Sequence, residues 1–131
     1  MIEEQNIPQV SMHSMNEVHL EEVVLINRLF EALESDRGFE RVSENLELLL
    51  EHIQEHFSGE EKMMKEAQYP SLNMHKAEHD KVLSQARYAE MEWRNRKDKE
   101  SLREFLEDDI VTWLDQHIKA MDMPMADFIV S

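Results

Sequence analysis

His56 with Glu60, His75 with His79, and His117 with Asp122 form three pairs of metal-ligand side chains set in apolar helical stripes, and His19 stands on a fourth stripe. Residues one turn apart on a helix share a face, with Cβ atoms about 5–6 Å apart, so a pair can serve one centre. The chain has no Cys, which removes thiolate chemistry; imidazoles with a few carboxylates suit iron, zinc, copper or manganese. A lone His on an apolar face is more often a hydrogen-bonded core residue than a ligand. Five of them with two carboxylates are different: each unsatisfied buried polar group costs about 1–3 kcal/mol, and metal satisfies them together. Seven donors exceed what one tetrahedral or octahedral ion accepts, so two ions are expected, with the carboxylates as natural bridges. Five nitrogens cannot divide equally. One ion takes three and the other two, and the poorer ion keeps an open position for a small molecule.

Helices must deliver these side chains, and a 3,4 alternation of core positions finds four. The stripes read Met15, His19, Glu22, Ile26, Leu29, Leu33; Val42, Leu46, Leu49, Ile53, His56, Glu60, Met63; Leu72, His75, His79, Val82, Ala86, Ala89, Trp93; and Leu102, Leu106, Ile110, Trp113, His117, Met121. They predict helices over about 16–34, 40–67, 71–95 and 100–121, an arm over 1–15 and a tail over 123–131. Ser35-Asp36-Arg37-Gly38 stops the first helix, with Gly38 as the C-terminal signal, and Tyr69-Pro70-Ser71 separates the second from the third. Short connections make neighbours antiparallel. The expected fold is therefore all-α, an antiparallel up-down-up-down four-helix bundle with an N-terminal arm. In that topology the start of the first and third helices and the end of the second and fourth lie at one level, where all seven residues meet.

At 131 residues the chain is expected to form one domain with one core. Only two Gly and three Pro leave little material for sheets built on tight turns. A net charge of −15 repels phosphate backbones and anionic lipid, so neither nucleic acid nor membrane is an expected partner. Met1-Ile2-Glu3-Glu4-Gln5 lacks the positive start and apolar run of a secretory signal, and no segment approaches the ~20 apolar residues of a membrane span; the expected location is the cytoplasm. Neither a nucleophile triad nor a glycine-rich phosphate loop is present.

The order His19 with Asn27, His56-Phe57-x-x-Glu60-Glu61, Tyr69-Pro70, His75-x-x-x-His79 and Trp113-Leu114-x-x-His117-Ile118-x-x-x-Asp122 resembles the hemerythrins, especially the single-domain bacterial ones, over nearly the whole chain. The resemblance implies two iron ions in an oxo- or hydroxo-bridged centre. His75, His79 and His117 would hold the saturated iron and His19 and His56 the open one, with Glu60 and Asp122 bridging. Dioxygen, or another small diatomic or peroxide ligand, would bind at the open iron in a dry pocket walled by Phe57, Trp113, Leu114 and Ile118. The five-residue step from His117 to Asp122 leaves the i,i+4 face and suits a helix end or a distortion.

Glu22 departs from the family, which usually has an apolar residue three positions after its first His. It is expected either to reach the open iron or its ligand, or to lie at the bundle rim and extend to water. The leading functional expectation is a non-heme di-iron protein that binds dioxygen for storage, delivery or sensing. If Glu22 enters the pocket, the alternative is a di-iron oxidase, peroxidase or nitric-oxide-handling enzyme; a third is a redox- or oxygen-sensing regulatory module. His52, one turn before His56, is read as a flank residue, Glu61 as part of a solvated face, and His13 as exposed.

Overall fold

The stripes fold as four helical rods. Three are regular: α1, His13–Glu34, α2, Phe39–Glu66, and α3, Leu72–Arg96. The fourth rod, residues 99–130, is α-helical over Lys99–Glu104 (α4), Thr112–His117 (α5) and Met123–Val130 (α6), and π-helical over Phe105–Val111 and Ile118–Asp122. The computed structural model describes residues 2–35 and 38–131, so expectations involving Met1, Asp36 and Arg37 lie outside the described residues. The described residues contain no strand, and the chain is an all-α antiparallel bundle with an N-terminal arm.

Burial follows the 3,4 pattern. All six residues of the first stripe are buried, from Met15 to Leu33. In α2 the stripe is buried through Glu60, with Met64 taking the inward place expected of Met63, which is only partly covered. In α3 His75, His79, Val82, Ala86 and Trp93 are buried. In the fourth rod Leu102, Leu106, Ile110 and His117 are buried, whereas Trp113 and Met121 sit half out. Each fully buried Leu, Ile, Val or Phe contributes about 1.5–3 kcal/mol relative to exposure, so this apolar stack carries the bundle and can hold polar groups at one end.

The links are short because they end helices efficiently. After α2, Gln68 adopts φ 55° and the Tyr69 amide donates to the Met64 carbonyl at 2.9 Å. After α3, Lys97 adopts φ 53° and its amide donates to the Trp93 carbonyl at 2.8 Å; Asp98 then caps α4, accepting from the amides of Glu100 and Ser101. Left-handed residues at a helix end satisfy its last carbonyls, and the side-chain cap satisfies the first amides of the next helix. Gly38 does not play the expected part: at φ −68° it is extended and opens α2 rather than closing α1.

The arm is pinned by two asparagines. Asn27 accepts from the Ile2 amide at 2.9 Å and donates to its carbonyl at 2.8 Å, and Asn16 makes the same pair with Val10, 2.9 Å each way. Ile7 and Val10 are thereby buried. The tail expected over 123–131 is instead helical as α6, because Met125 and Ala126 continue the buried stripe. Pro124 stands in the first turn of α6, directly after a π turn, where its missing N–H interrupts little.

Candidate metal centre

At the end of the bundle where α1 and α3 begin and α2 ends, His19, His56, Glu60, His75, His79, His117 and Asp122 are all buried and converge. They divide into two sets whose donor atoms lie within 4.8 Å of one another: Glu60, His75, His79, His117 and Asp122, and His19, His56, Glu60 and Asp122. The two carboxylates belong to both. Glu60 directs Oε1 to Nε2 of His79 at 3.1 Å and His75 at 3.3 Å, and Oε2 to Nε2 of His56 at 2.6 Å and His19 at 3.7 Å. Asp122 directs Oδ1 to Nε2 of His75 at 3.1 Å and His117 at 3.2 Å, and Oδ2 to Nε2 of His19 at 3.1 Å. Each carboxylate thus spans the gap with one oxygen on each side.

The local sequence explains the delivery. His56 and Glu60, like His75 and His79, are i,i+4 pairs on regular α-helix. His117 and Asp122 are five apart and still share a face, because Ile118–Asp122 forms a π turn whose extra residue absorbs the step. Of the two expected explanations, distortion is the one found, since the helix continues to Val130.

The donor set fits metal. Nε2 of His117 lies 3.1 Å from Nε2 of His75 and 3.3 Å from Nε2 of His79. Imidazole nitrogens about 2.1 Å from one ion and at right angles around it would stand about 3 Å apart. Both nitrogens of His19, Glu60 Oε1 and both Asp122 oxygens are buried without hydrogen-bonding geometry to any partner, the condition a bound cation relieves.

Charges in the metal-free site are strongly coupled. Burial opposes ionisation of Glu22, but the His56 charge and hydrogen bonds from His52 and His56 outweigh it and hold the carboxyl at about 2. Burial likewise opposes charge on His75, yet Asp122 and Glu60 beside it raise it to about 9. His56 is raised well above its usual value, against burial, by Glu22 and Glu60. Glu60 and Asp122 are depressed despite burial, Glu60 chiefly by the His56 charge and Asp122 chiefly by His117.

Glu22 is buried, which rules out the rim position, and it stands in neither donor set. Its Oε2 accepts from Nδ1 of His56 at 2.7 Å and from Nδ1 of His52 at 3.1 Å, on the side of His56 away from Glu60. Three residues past His19, Glu22 points across to α2 and meets the outer nitrogen of the His56 ring. His52 is drawn into the site through it. Glu61, read as a solvated face, accepts from Nδ1 of His79 at 2.9 Å. Glu78 accepts from Nε1 of Trp113 at 3.0 Å and lies 3.8 Å from Nδ1 of His117. The His-x-x-x-His-x-x-x-Glu run was the available signal for His52; for Glu61 and Glu78 no periodicity marks them.

Of the expected wall, Phe57 stacks on His79 at 3.9 Å and Trp113 on His117 at 4.3 Å, so the aromatics brace the three-histidine set. Leu114 and Ile118 are buried and, with Val23 and the arm residues Ile2, Ile7 and Pro8, border a cavity of about 560 Å³.

Comparison with known proteins agrees with this geometry. The sequence model described as Hemerythrin HHE cation binding domain matches residues 11–129. The chain is 30% identical over 126 residues to a bacteriohemerythrin of Aquifex aeolicus (strain VF5), covering 96% of this chain and 95% of that protein. It is 30% identical over 105 residues to a bacteriohemerythrin of Ralstonia nicotianae (strain ATCC BAA-1114 / GMI1000), covering 80% of this chain and 72% of that one. With the match running through every rod that contributes a donor, the chain belongs to the hemerythrin family of cation-binding domains.

Proposed function

We propose that this single hemerythrin-like unit, 1–131, binds dioxygen at a pair of iron ions. His75, His79 and His117 hold one ion, His19 and His56 the other, and Glu60 and Asp122 bridge them. The observation that carries the reading is the split of each carboxylate, one oxygen toward each histidine set, around an unequal three-to-two division of imidazoles. Held by these residues, two ferrous ions would supply the electrons for reversible dioxygen binding. The chain's own part is to bind and orient: Glu60 and Asp122 fix the spacing of the sets, the shorter donor set leaves a coordination position for a small ligand, and Phe57, Leu114 and Ile118 keep water scarce.

Binding without turnover is favoured because the residue that would have argued for an enzyme, Glu22, faces the far nitrogen of His56. The reading is tested by loading iron anaerobically, reducing, and admitting air. Two irons per chain and an optical band that appears with oxygen and vanishes on its removal are expected. Steady oxygen consumption with a reductant would point instead to an oxidase, and a colourless chain without iron would end the proposal.

A further inference from the structure

Resting on that reading of the centre, we propose that Glu22 and His52 form a fixed support behind His56 that sets the orientation and donor strength of this one ligand, and that His52 holds the Glu22 carboxylate away from the open ion. Both are positioning residues: they act through His56.

A carboxylate is acceptor-only, so each imidazole that meets Glu22 Oε2 must present Nδ1–H: His56 at 2.7 Å and His52 at 3.1 Å. Nε2 of His56 is thereby committed to the centre, where Glu60 lies. Among the described residues, only one other imidazole of the site, His79, has a carboxylate at hydrogen-bond distance from Nδ1. His19 and His75 have no partner at Nδ1, and His117 stands 3.8 Å from Glu78, which Trp113 already engages. His79 meets Glu61, but that side chain is 23% exposed whereas Glu22 is 2% exposed. Dry, charged and doubly anchored, Glu22 is the strongest such contact among the described residues, and it falls on the smaller donor set.

Two consequences follow from the chemistry of ligated imidazole. A carboxylate on the outer nitrogen makes the ring a stronger donor, which favours the ferric over the ferrous state at the two-histidine ion. A buried carboxylate one turn from His19 would otherwise be a natural eighth ligand. Two N–H groups on one oxygen, with His52 itself leaning on Glu21 at 3.4 Å outside, keep it turned outward and the coordination position free.

The test compares the parent with Glu22→Gln and with His52→Leu, the latter at a partly exposed position outside both donor sets that loses its N–H donor. Glu22→Gln keeps an acceptor but removes its charge: Zn²⁺ affinity falls about 10-fold, the low end of the 10–100-fold range for outer partners. In the iron-loaded chain the midpoint potential rises by about 59 mV, the one-electron equivalent of a tenfold change in ferric preference. His52→Leu removes one of the two N–H groups that hold Glu22 outward, so azide binds the ferric centre more weakly while iron content is unchanged. Unaltered Zn²⁺ affinity and potential in Glu22→Gln, or unaltered azide affinity in His52→Leu, would overturn the corresponding half of the proposal. A parent that takes up zinc but not two irons refutes the di-iron reading instead, and the zinc comparison still decides the role of Glu22.

Discussion

Asp122 lies within 3.2 Å of three imidazoles drawn from both donor sets, so its charge matters to both sets at once. Asp122→Asn keeps the volume and removes the charge. Metal affinity should fall by more than the roughly 10–100-fold lost with an outer partner, and titration with iron should show both ions weakened rather than one. Phe57 offers a contrast, because it meets the site through its apolar ring, stacked on His79 at 3.9 Å and tilted against His56 at 5.2 Å, and is 1% exposed. Phe57→Ala should cost the metal-free chain about 3–5 kcal/mol, as truncating a buried aromatic does, read as a lowered denaturant midpoint, and the loaded chain should hold its oxygen adduct for a shorter time. Donor residues such as these were legible from sequence because their type and helical spacing already state their chemistry. Glu22, His52 and Glu61 were not. The periodicity places Glu22 inside, but which nitrogen it meets depends on the rotation of α1 against α2, and one sequence does not encode that angle visibly.

The elements differ in how they tolerate a change of register. In α2, His56 and Glu60 share a face through regular α geometry, so deleting the exposed Ser58 between them turns Glu60 by about 100° and should abolish metal uptake. In the fourth rod the π turn Ile118–Asp122 already contains one residue too many. Deleting the exposed Ala120 leaves a four-residue step from His117 to the aspartate, which a regular helix places on the same face, and the buried Met125 and Ala126 stay in register behind it. We expect that deletion to fold and still bind metal; iron per chain and far-UV circular dichroism of the two deletions, measured side by side, check the contrast. The four rods were readable because a stripe needs only periodicity. The role of Gly38, the true end of the last rod and the position of the π turns were not, since a π turn and a helix end both show as a missed beat in the pattern. Continuation past Asp122 is settled by what Met125 packs against.

For the whole molecule, the metal-free and metal-loaded chains should respond differently to pH, and the signs follow from the groups at the site. His75 is raised from 6.5 to about 9 in the folded chain, so its contribution to stability is complete below about 6.5 and is lost as pH rises through 9. Glu22 is lowered from 4.5 to about 2, so its contribution is complete above about 4.5 and is lost as pH falls toward 2. The metal-free chain is therefore expected to be most stable between roughly pH 4.5 and 6.5, as thermal melts across that range would show. Metal replaces those protons rather than adding to them. Coordination needs neutral imidazole, whereas without metal His75, raised to about 9, is protonated at pH 7, and its neighbours Glu60 and Asp122 also raise His56 and His19 respectively. Adding metal at pH 7 should release protons into a weakly buffered dye solution, fewer should appear above pH 9.5, and the loaded chain should no longer lose stability as pH climbs from 7 to 9. If metal uptake at pH 7 releases no protons, the histidines were already neutral, and the ion-paired network of His75 with Glu60 and Asp122 is wrong.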